Sequence, residues 1–326
     1  MRFPALLLAA LLCVAVSGAK AAGVRFLDMP ADADGPAMTG MVWYPCAAPP
    51  TDLPFGRTTL RGTKGCPVTG DALPLVVVSH GFGGKLSSHH DTTEALADAG
   101  FVVAAINHPI DSGPDMSRAD TIAALTERPK DIKRLIDYML NTWPDHAKLD
   151  PGKIGFFGFS RGGYTGLVLI GGSPDLRRCL EAAPASFCDQ ARDNPIASPG
   201  SFTHDPRIKA AVIADPAWGP MFTRDGLKDV KAPVQLWASE LSSKDRVEVT
   251  RESVAAVGQN LPVRPESHLV ANAGHFAFLT PCSPALAEGL PRLCTDPPGF
   301  DRVAFHKELD ADIVTFFRDN LSVARN

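Results

Sequence analysis

The segment Gly158-Phe159-Ser160-Arg161-Gly162 fits the pattern Gly-x-Ser-x-Gly and ends an apolar run that begins at Ile154. A serine on a sharp turn between a strand and a helix needs strained backbone angles, and glycines on either side remove the collisions that side chains would cause. Such a turn makes the serine hydroxyl accessible at the end of the strand. The pattern therefore predicts that Ser160 is a nucleophile, with an ordinary glycine-rich turn as the structural alternative.

A second glycine-rich stretch, Ser79-His80-Gly81-Phe82-Gly83-Gly84, directly follows the apolar run LPLVVV. When a hydroxyl attacks a carbonyl, negative charge develops on the carbonyl oxygen, and backbone N–H groups aimed at that oxygen stabilise it. With Ser160 as nucleophile, the pattern predicts an oxyanion hole formed by the N–H groups of Phe82 and Arg161. His80 is expected to pack beneath the loop in a structural role.

The third segment is Asn272-Ala273-Gly274-His275-Phe276, which follows the apolar run HLVA. A serine hydroxyl is a weak nucleophile at neutral pH, so a neutral imidazole must take its proton. Among the nine histidines, His268 lies within the preceding predicted strand and the others lack a position directly after a late strand. His275 is therefore the candidate base.

The carboxylate that would orient this imidazole has several candidates. Asp215 ends the run AAVIAD and Glu240 ends VQLWASE, so each follows a predicted strand between the serine and the histidine. Asp245 is a weaker third candidate. Either of the first two could hold the imidazole and stabilise its charged form, and either could be an ordinary strand-end charge. The residues alone leave this choice open.

The elements that must position these residues are short, continuous apolar runs that alternate with helical patterns. Runs without polar alternation suit strands buried on both faces, and residues 129–140 place Ile132, Leu135 and Met139 on one side of a helix. The alternation predicts an α/β fold with a mostly parallel central sheet and helices on both faces. Ligands bind beyond the carboxyl ends of such strands, where all the candidates lie.

Other segments depart from this alternation. Residues 24–30 and 38–45 alternate more regularly and are predicted to form antiparallel edge strands. Insertions are predicted near residues 172–206, which can form a cap, and near 280–300. A final amphipathic helix is expected around residues 302–320.

The first 21 residues have the pattern of a secretory signal peptide: positive charge at Arg2, an apolar stretch, and small residues at Ala19 and Ala21. The apolar stretch is shorter than the ~20 residues of a spanning helix. The interpretation is a signal peptide at 1–21 and a single periplasmic or secreted domain at 22–326, with no integral membrane segment after cleavage. A lipoprotein anchored through Cys13 is the minor alternative.

Without Cys13 the chain has six cysteines, an even number, which suits an oxidising compartment. Six cysteines allow many connectivities, and proximity favours three local pairs, 46 with 66, 179 with 188 and 282 with 294. None of these pairs has CxxC spacing with a nearby histidine, so a zinc site is not favoured.

Composition excludes some function classes. The chain of 326 residues is 45% hydrophobic and has a formal net charge of -4. It has no basic stripe, so nucleic acid is not an expected partner. The predicted chemistry needs no metal and no organic cofactor.

With these segments placed, the chain resembles an α/β-hydrolase. More narrowly, it resembles the bacterial proteins called predicted dienelactone hydrolases, which are similar to platelet-activating-factor acetylhydrolases. The likeness is carried by LPLVVVSHGFGG, FVVAAINHP, RPKDIKRLIDYML, KIGFFGFSRGG, AAVIADPAWGPMF and NAGHFAF, in the family's order over about residues 73–278. By this resemblance Asp215 is the acid of the triad and Glu240 is a non-catalytic neighbour.

The resemblance implies an exported serine hydrolase that cleaves small-molecule or lipid esters, including short-acyl or phospholipid-type esters. One departure is the nucleophile, because true dienelactone hydrolases use cysteine where this chain has Ser160. A peptidase or amidase would use the same triad, and a catalytically silent binding protein is a further alternative. Several side chains are candidates for an apolar acyl pocket and equally for the core: Phe82, Phe159, Trp218, Met221, Phe222, Phe276 and Phe278.

Overall fold

The computed structural model describes residues 21–192, 202–244 and 249–321, and its centre is one ten-stranded sheet. The strands are β1 (Ala21–Met29), β2 (Met38–Cys46), β3 (Thr51–Phe55), β4 (Thr58–Lys64), β5 (Leu73–Ser79), β6 (Val102–Ile106), β7 (Leu149–Phe159), β8 (Ile208–Ala214), β9 (Val234–Ser239) and β10 (Glu266–Val270). Apart from Ala21, the predicted signal peptide lies outside the described residues.

Across the sheet the strand order is β10-β9-β8-β7-β5-β6-β2-β1-β4-β3. The six strands from β10 to β6 run parallel to one another. Strand β2 runs antiparallel to both β6 and β1. The predicted mostly parallel sheet is therefore confirmed, and its parallel part contains every strand that precedes a candidate site residue.

Helices cover both faces of the sheet. They are α1 (His90–Asp98), α2 (Ala123–Asn141), α3 (Arg161–Leu169), α4 (Ala185–Arg192), α5 (Arg224–Leu227), α6 (Arg251–Asn260), α7 (Pro284–Gly289), α8 (Pro291–Cys294) and α9 (Arg302–Leu321). Apolar side chains of α2, α3 and α6 form one core cluster, and those of α1 and α9 form the other. In β5, Leu75 and Val77 belong to the first cluster and Val76 and Val78 to the second, because successive side chains of a strand point to opposite faces.

Helix α2 begins six residues before Pro129, the start of the pattern that predicted it. A proline within a helix lacks the N–H that would bond to the carbonyl four residues earlier. Here that carbonyl belongs to Leu125, and the Tyr164 hydroxyl donates to it at 3.3 Å. The buried side chain from α3 thus satisfies the carbonyl and lets the helix extend in the N-terminal direction.

The prediction that the N-terminal strands lie at the edge of the sheet was wrong. Strands β1 and β2 pair antiparallel, as expected, but the hairpin of β3 and β4 continues the sheet beyond β1. This hairpin was not predicted from the sequence, because its residues are largely polar and include Pro54. Its turn uses Gly56 at a φ of 60°, a conformation that glycine adopts without steric cost.

The two predicted insertions contain short helices and disulfides. Residues 172–192 include a 3₁₀ segment and α4, and residues 193–201 of this insertion lie outside the described residues. Residues 280–300 include α7 and α8. The structure confirms the three cysteine pairs that proximity favoured: Cys46 with Cys66, Cys179 with Cys188, and Cys282 with Cys294. Within the described ranges, no helix is long and apolar enough to cross a membrane.

Candidate active site

Ser160 lies between the end of β7 and the start of α3, with φ 56° and ψ −117°. This is a strained conformation for a residue with a side chain. Two backbone hydrogen bonds fix the turn: the Ser160 N–H donates to Ala214 O at 2.9 Å, and the Ala217 N–H donates to Ser160 O at 3.0 Å. The backbone of Ser160 is therefore hydrogen-bonded to one residue before Asp215 in the chain and to one residue after it.

The two glycines of the pattern are required by close backbone contacts. A Cβ at Gly158 would lie 2.3 Å from Gly162 O, and a Cβ at Gly162 would lie 1.8 Å from Ser79 O. Both separations are far inside van der Waals contact. The steric argument made from the sequence thus holds, and the second contact also packs the turn against the start of the other glycine-rich loop.

The strand register brings the candidate segments to one edge of the sheet. Phe159 pairs with Ala214 across β7 and β8, so the next residues, Ser160 and Asp215, leave the sheet side by side. Ser79 pairs with Gly158, so the loop after β5 also leaves the sheet beside the serine turn.

Asp215 and His275 are in direct contact although 60 residues separate them. The imidazole Nδ1 donates to Asp215 Oδ2 at 3.0 Å. Ser239 also contacts this carboxylate, because its N–H donates to Oδ1 at 2.8 Å and its hydroxyl donates to Oδ2. Asp215 is fully buried and His275 is 1% exposed. The carboxylate is thus held by three donors, one of which is the candidate base.

Glu240, the alternative acid, has a different partner. Its Oε2 accepts the backbone N–H of Asn272 at 2.7 Å, three residues before the histidine. Asn272 has a φ of 55°, and the carboxylate holds this turn of the loop. The geometry therefore favours Asp215 over Glu240 as the partner of the imidazole. Asp245, the third candidate, lies outside the described residues.

His275 also contacts the segment that carries the serine. The rings of His275 and Phe159 have centroids 4.6 Å apart, and Phe159 directly precedes Ser160. A Cβ at Gly81 would lie 3.2 Å from the Ser160 Cβ. The histidine turn, the serine turn and the HGFGG loop (residues 80–84) therefore meet at this edge.

The HGFGG loop is fixed by the buried ring of His80. The His80 Nδ1 donates to Gly81 O at 2.7 Å, and its Nε2 accepts the N–H of His108 at 3.2 Å. Burial, with a smaller contribution from Arg128, lowers the pKa of His80 to about 3. The ring is therefore neutral at physiological pH and supports the loop, which agrees with the structural role expected for it.

Phe82 and Arg161, the two candidate oxyanion donors, also touch through their side chains. The Arg161 guanidinium lies over the Phe82 ring, with its carbon 4.3 Å from the ring centroid. Arg161 is the first residue of α3, so its N–H belongs to the positive end of the helix dipole. A negative charge that develops beside Ser160 would be stabilised at this position.

Comparison with known proteins shows a family that this part of the chain resembles. Residues 60–217 match the sequence profile of the dienelactone hydrolase family, a segment that includes the HGFGG loop, Ser160 and Asp215. Over these residues the chain is similar to the dienelactone hydrolase family. A dienelactone is a cyclic ester, so the match supports an enzyme that hydrolyses esters. No curated protein matches the chain by sequence.

Solved structures show that the chain has an α/β-hydrolase fold. A ferulic acid esterase from Streptomyces cinnamoneus aligns with a TM-score of 0.60 and 18% identity over 94% of this chain and 91% of that chain. A dienelactone hydrolase from Anabaena variabilis aligns with a TM-score of 0.50 and 14% identity over 92% and 99% of the two chains. A putative dipeptidyl aminopeptidase IV from Bacteroides ovatus aligns with a TM-score of 0.54 and 12% identity, over 94% of this chain and 37% of that one.

Most of the aromatic side chains considered for an acyl pocket are core residues. Phe159, Trp218, Phe222 and Phe278 are at most 3% exposed, as is Met221. Phe82 and Phe276 are half-buried. The ambiguity arose because an apolar side chain near a site has the same sequence signature whether it faces substrate or packs behind the site.

The sequence analysis missed Ser239, which donates twice to Asp215. Its signal was present, since it is the last residue of β9 and directly precedes Glu240. It also missed Asp111 and Arg128, two buried charged residues near the HGFGG loop. Asp111 follows β6 and could have been found as a polar residue after a strand, whereas Arg128 has no such signal within α2. In the described ranges, no cluster of three or more His, Cys, Asp or Glu side chains could hold a metal ion.

The turn that carries His275, residues His275–Phe278, is held by two further histidines. His306 Nε2 donates to Ala277 O at 2.8 Å, and His89 Nδ1 donates to Phe278 O at 3.0 Å. The other nitrogen of His306 forms an ion pair with Asp91 Oδ2 at 2.6 Å. Burial opposes the charge on His306, but Asp91 outweighs burial and raises the pKa of this imidazole above its usual value.

We expect His306→Gln to destabilise the protein more at pH 5.5 than at pH 9. The raised pKa means that the charged His306 contributes stability that is fully present below about pH 6.5, the unfolded value, and is lost as pH rises through the folded pKa. Breaking a buried ion pair costs on the order of 3 kcal/mol. Denaturant unfolding of both proteins at the two pH values measures the difference.

His146 provides the control, because it is exposed and its Nδ1 faces the carbonyl oxygen of Trp143. For His146→Gln the loss of unfolding free energy should be small and the same at both pH values. A loss for His306→Gln that does not shrink between pH 5.5 and pH 9 would contradict a charged His306. Asp310, whose pKa is raised to about 7 by burial and by Asp91, also interacts with His306, so the difference between the two pH values reports on His306 together with Asp91 and Asp310.

Proposed function

We propose that this protein is an exported serine hydrolase that cleaves carboxylic esters through an acyl-enzyme. Ser160 is the nucleophile, His275 the general base and Asp215 the residue that orients the imidazole. The observation that carries the proposal is the 3.0 Å contact from His275 Nδ1 to Asp215 Oδ2 at the sheet edge that bears the Ser160 turn. This contact fixes the imidazole tautomer, with Nε2 left as the basic nitrogen.

The reaction proceeds in two halves. His275 Nε2 takes the proton from the Ser160 hydroxyl as its oxygen bonds to the ester carbonyl carbon, and the N–H groups of Phe82 and Arg161 hold the resulting oxyanion. Collapse of this intermediate breaks the bond to the alcohol oxygen, which takes the proton from His275. Water, deprotonated by His275, then attacks the acyl-enzyme, and the acid leaves with Ser160 restored.

We propose that the substrates have short acyl chains and include phospholipid-type esters. Trp218, which lies just beyond Asp215, packs against Tyr164 and Phe187 at ring separations of 5.0 and 5.5 Å. Phe222 also packs against Tyr164, with ring centroids 5.5 Å apart. The preference for a small acyl group rests on the resemblance to platelet-activating-factor acetylhydrolases.

We further propose that the protein is periplasmic or secreted. Three disulfides are compatible with an oxidising compartment, and the N-terminal 21 residues have the composition of a signal peptide.

A substrate panel tests the reaction class. The purified protein is assayed with p-nitrophenyl esters of rising chain length, with a phospholipid acetylated at its second glycerol position, and with p-nitroanilide amides. We expect ester turnover with kcat/KM highest for the shortest acyl groups, and amide turnover far below it. Amide turnover equal to or above ester turnover would replace the esterase with a peptidase or amidase. A folded protein that turns over neither class would support a binding role.

A further inference from the structure

Three buried charged side chains lie between the two halves of the proposed oxyanion hole and have no role in the chemistry described above. They are Asp111, Arg128 and the side chain of Arg161, which are at most 4% exposed. Asp111 follows β6, Arg128 lies in α2, and Arg161 begins α3. Burying charged groups is costly unless they are paired and hydrogen-bonded, so their contacts indicate what they hold in place.

The Asp111 carboxylate is bonded to both halves of the hole. Its Oδ1 accepts the backbone N–H of Gly83, the residue after Phe82, at 3.3 Å. Its Oδ2 accepts Nη1 of Arg161 at 3.3 Å and Nη1 of Arg128 at 2.9 Å. One carboxyl group thus connects the neighbour of the first proposed donor to the side chain of the residue that supplies the second.

Arg128 forms a second connection between the same two segments. Its Nη2 donates to Ser79 Oγ at 3.2 Å and to the carbonyl oxygen of His80, where the HGFGG loop begins. Its Nε donates to Thr165 Oγ1 at 3.3 Å, and the Thr165 hydroxyl donates to Arg161 O at 2.9 Å. The guanidinium therefore joins the loop to the first turn of α3.

The Arg161 guanidinium contacts two aromatic rings and a backbone carbonyl. Its guanidinium carbon lies 4.3 Å from the ring centroid of Phe82 and 4.8 Å from that of Trp218, and its Nη1 also donates to Ala119 O. A planar guanidinium that packs on aromatic rings cannot be replaced by another side chain without loss of contacts. The contact with Phe82 couples the position of this residue to that of α3.

We propose that Asp111, Arg128 and the Arg161 side chain are positioning residues that hold the Phe82 and Arg161 N–H groups at the separation required by the oxyanion. The inference rests on the proposed function, because it concerns the stabilisation of a charge that exists only during acyl transfer. Preorganised donors act without reorganisation at the moment of reaction, so loosening them should affect the transition state and leave substrate binding nearly intact.

The test compares Arg161→Gln with Arg134→Gln. Arg161→Gln keeps the backbone N–H and removes the guanidinium that contacts Phe82 and Asp111. We expect kcat to fall by about 10 to 100-fold with KM within about 3-fold of wild type, since loss of a whole donor costs about 100 to 1,000-fold. Arg134 is an equally buried arginine in the same helix as Arg128, and it binds Asp32 and the carbonyl of Pro36 instead of the loop. Arg134→Gln should lower Tm and leave kcat unchanged.

A pair of inhibitors distinguishes misplaced oxyanion donors from a general loss of order in the active site. A trifluoromethyl ketone forms an oxyanion with the serine, whereas the corresponding secondary alcohol binds without one. In Arg161→Gln, the Ki of the ketone should rise in proportion to the loss of kcat/KM, and the Ki of the alcohol should stay within about 3-fold. If Arg161→Gln does not fold, Arg161→Lys, which keeps the charge but lacks the planar group, is measured in the same way.

Asp111→Asn, combined with Arg161→Gln, gives a double-mutant cycle that tests whether the two residues act together. Asp111 and Arg161 act through one contact, so their effects should not add. The kcat of the double variant should be little lower than that of the less active single variant. Wild-type kcat in Arg161→Gln, or equal rises in Ki for both inhibitors, would overturn the inference and leave the proposed function standing. Absence of ester turnover in the wild-type protein would overturn the proposed function and this inference together.

Discussion

Ser160→Ala is expected to lower kcat for ester hydrolysis by a factor on the order of 10^4 to 10^6. Alanine keeps the backbone of the strained turn, including the bond from residue 160 to Ala214 O, and removes only the oxygen that would attack the carbonyl. Without a covalent intermediate the reaction would depend on the oxyanion hole and on substrate binding alone. Steady-state assays with a short p-nitrophenyl ester measure the change.

Ser253→Ala is the matched control for this variant. Ser253 is another buried serine, but its hydroxyl donates to Thr250 O at 2.8 Å in the cap of α6. Losing a cap costs about 1 kcal/mol of stability, and kcat should remain at the wild-type value. Unchanged ester turnover in purified Ser160→Ala would remove Ser160 from the mechanism.

Asp215→Asn is expected to lower kcat by a factor on the order of 10^4. The reason lies in the donors around the carboxylate. The N–H of Ser239 lies 2.8 Å from Oδ1, so the oxygen of the introduced amide stays at that position and its NH₂ group takes the place of Oδ2. That group would then face His275 Nδ1 as a donor. The imidazole would carry its proton on Nε2, where it cannot accept the proton of Ser160.

Glu240→Gln is the matched control, because it makes the same chemical change on the neighbouring strand. The Glu240 carboxylate holds the N–H of Asn272, and the amide oxygen of glutamine can accept the same hydrogen bond. We expect a change in kcat of less than about 10-fold, measured in the same assay. A large loss in Glu240→Gln with near wild-type activity in Asp215→Asn would reverse the assignment of the acid.

The sheet could be predicted from the sequence because its parallel strands are buried on both faces. Strands β5 and β6 are continuous apolar runs, and the end of β5 marks the sheet edge at which the HGFGG loop follows. The hairpin of β3 and β4 was missed for the opposite physical reason. It is mostly exposed, so its pattern reflects solvent more than burial.

The residues alone left the choice between Asp215 and Glu240 open, and the resemblance favoured Asp215. Both follow buried strands in the interval between Ser160 and His275, so their local patterns are equivalent. The strand order decides between them, since β8 lies directly beside β7 and β9 lies one strand further away. Side-chain direction then turns Glu240 toward Asn272. Neither strand order nor side-chain direction is encoded in a local apolar pattern.

No pattern in the sequence predicted the buried network of charged residues around the HGFGG loop. Arg128 lies within α2, and a charged residue there predicts a solvent-exposed position. It is instead 1% exposed, because Asp111 and the loop supply acceptors for its guanidinium. Such a pairing joins residues from distant parts of the chain and is visible only once the fold has brought them together.

Labelling with a fluorophosphonate tests most directly whether Ser160 is an activated nucleophile. The serine oxygen would bond to phosphorus as fluoride leaves, and the adduct would be located by mass spectrometry in the tryptic peptide of residues 154–161. The account predicts an adduct on Ser160 whose fraction equals the fraction of esterase activity lost. Activity that persists when Ser160 is fully labelled, or is lost through a label on another residue while Ser160 stays unmodified, would contradict it.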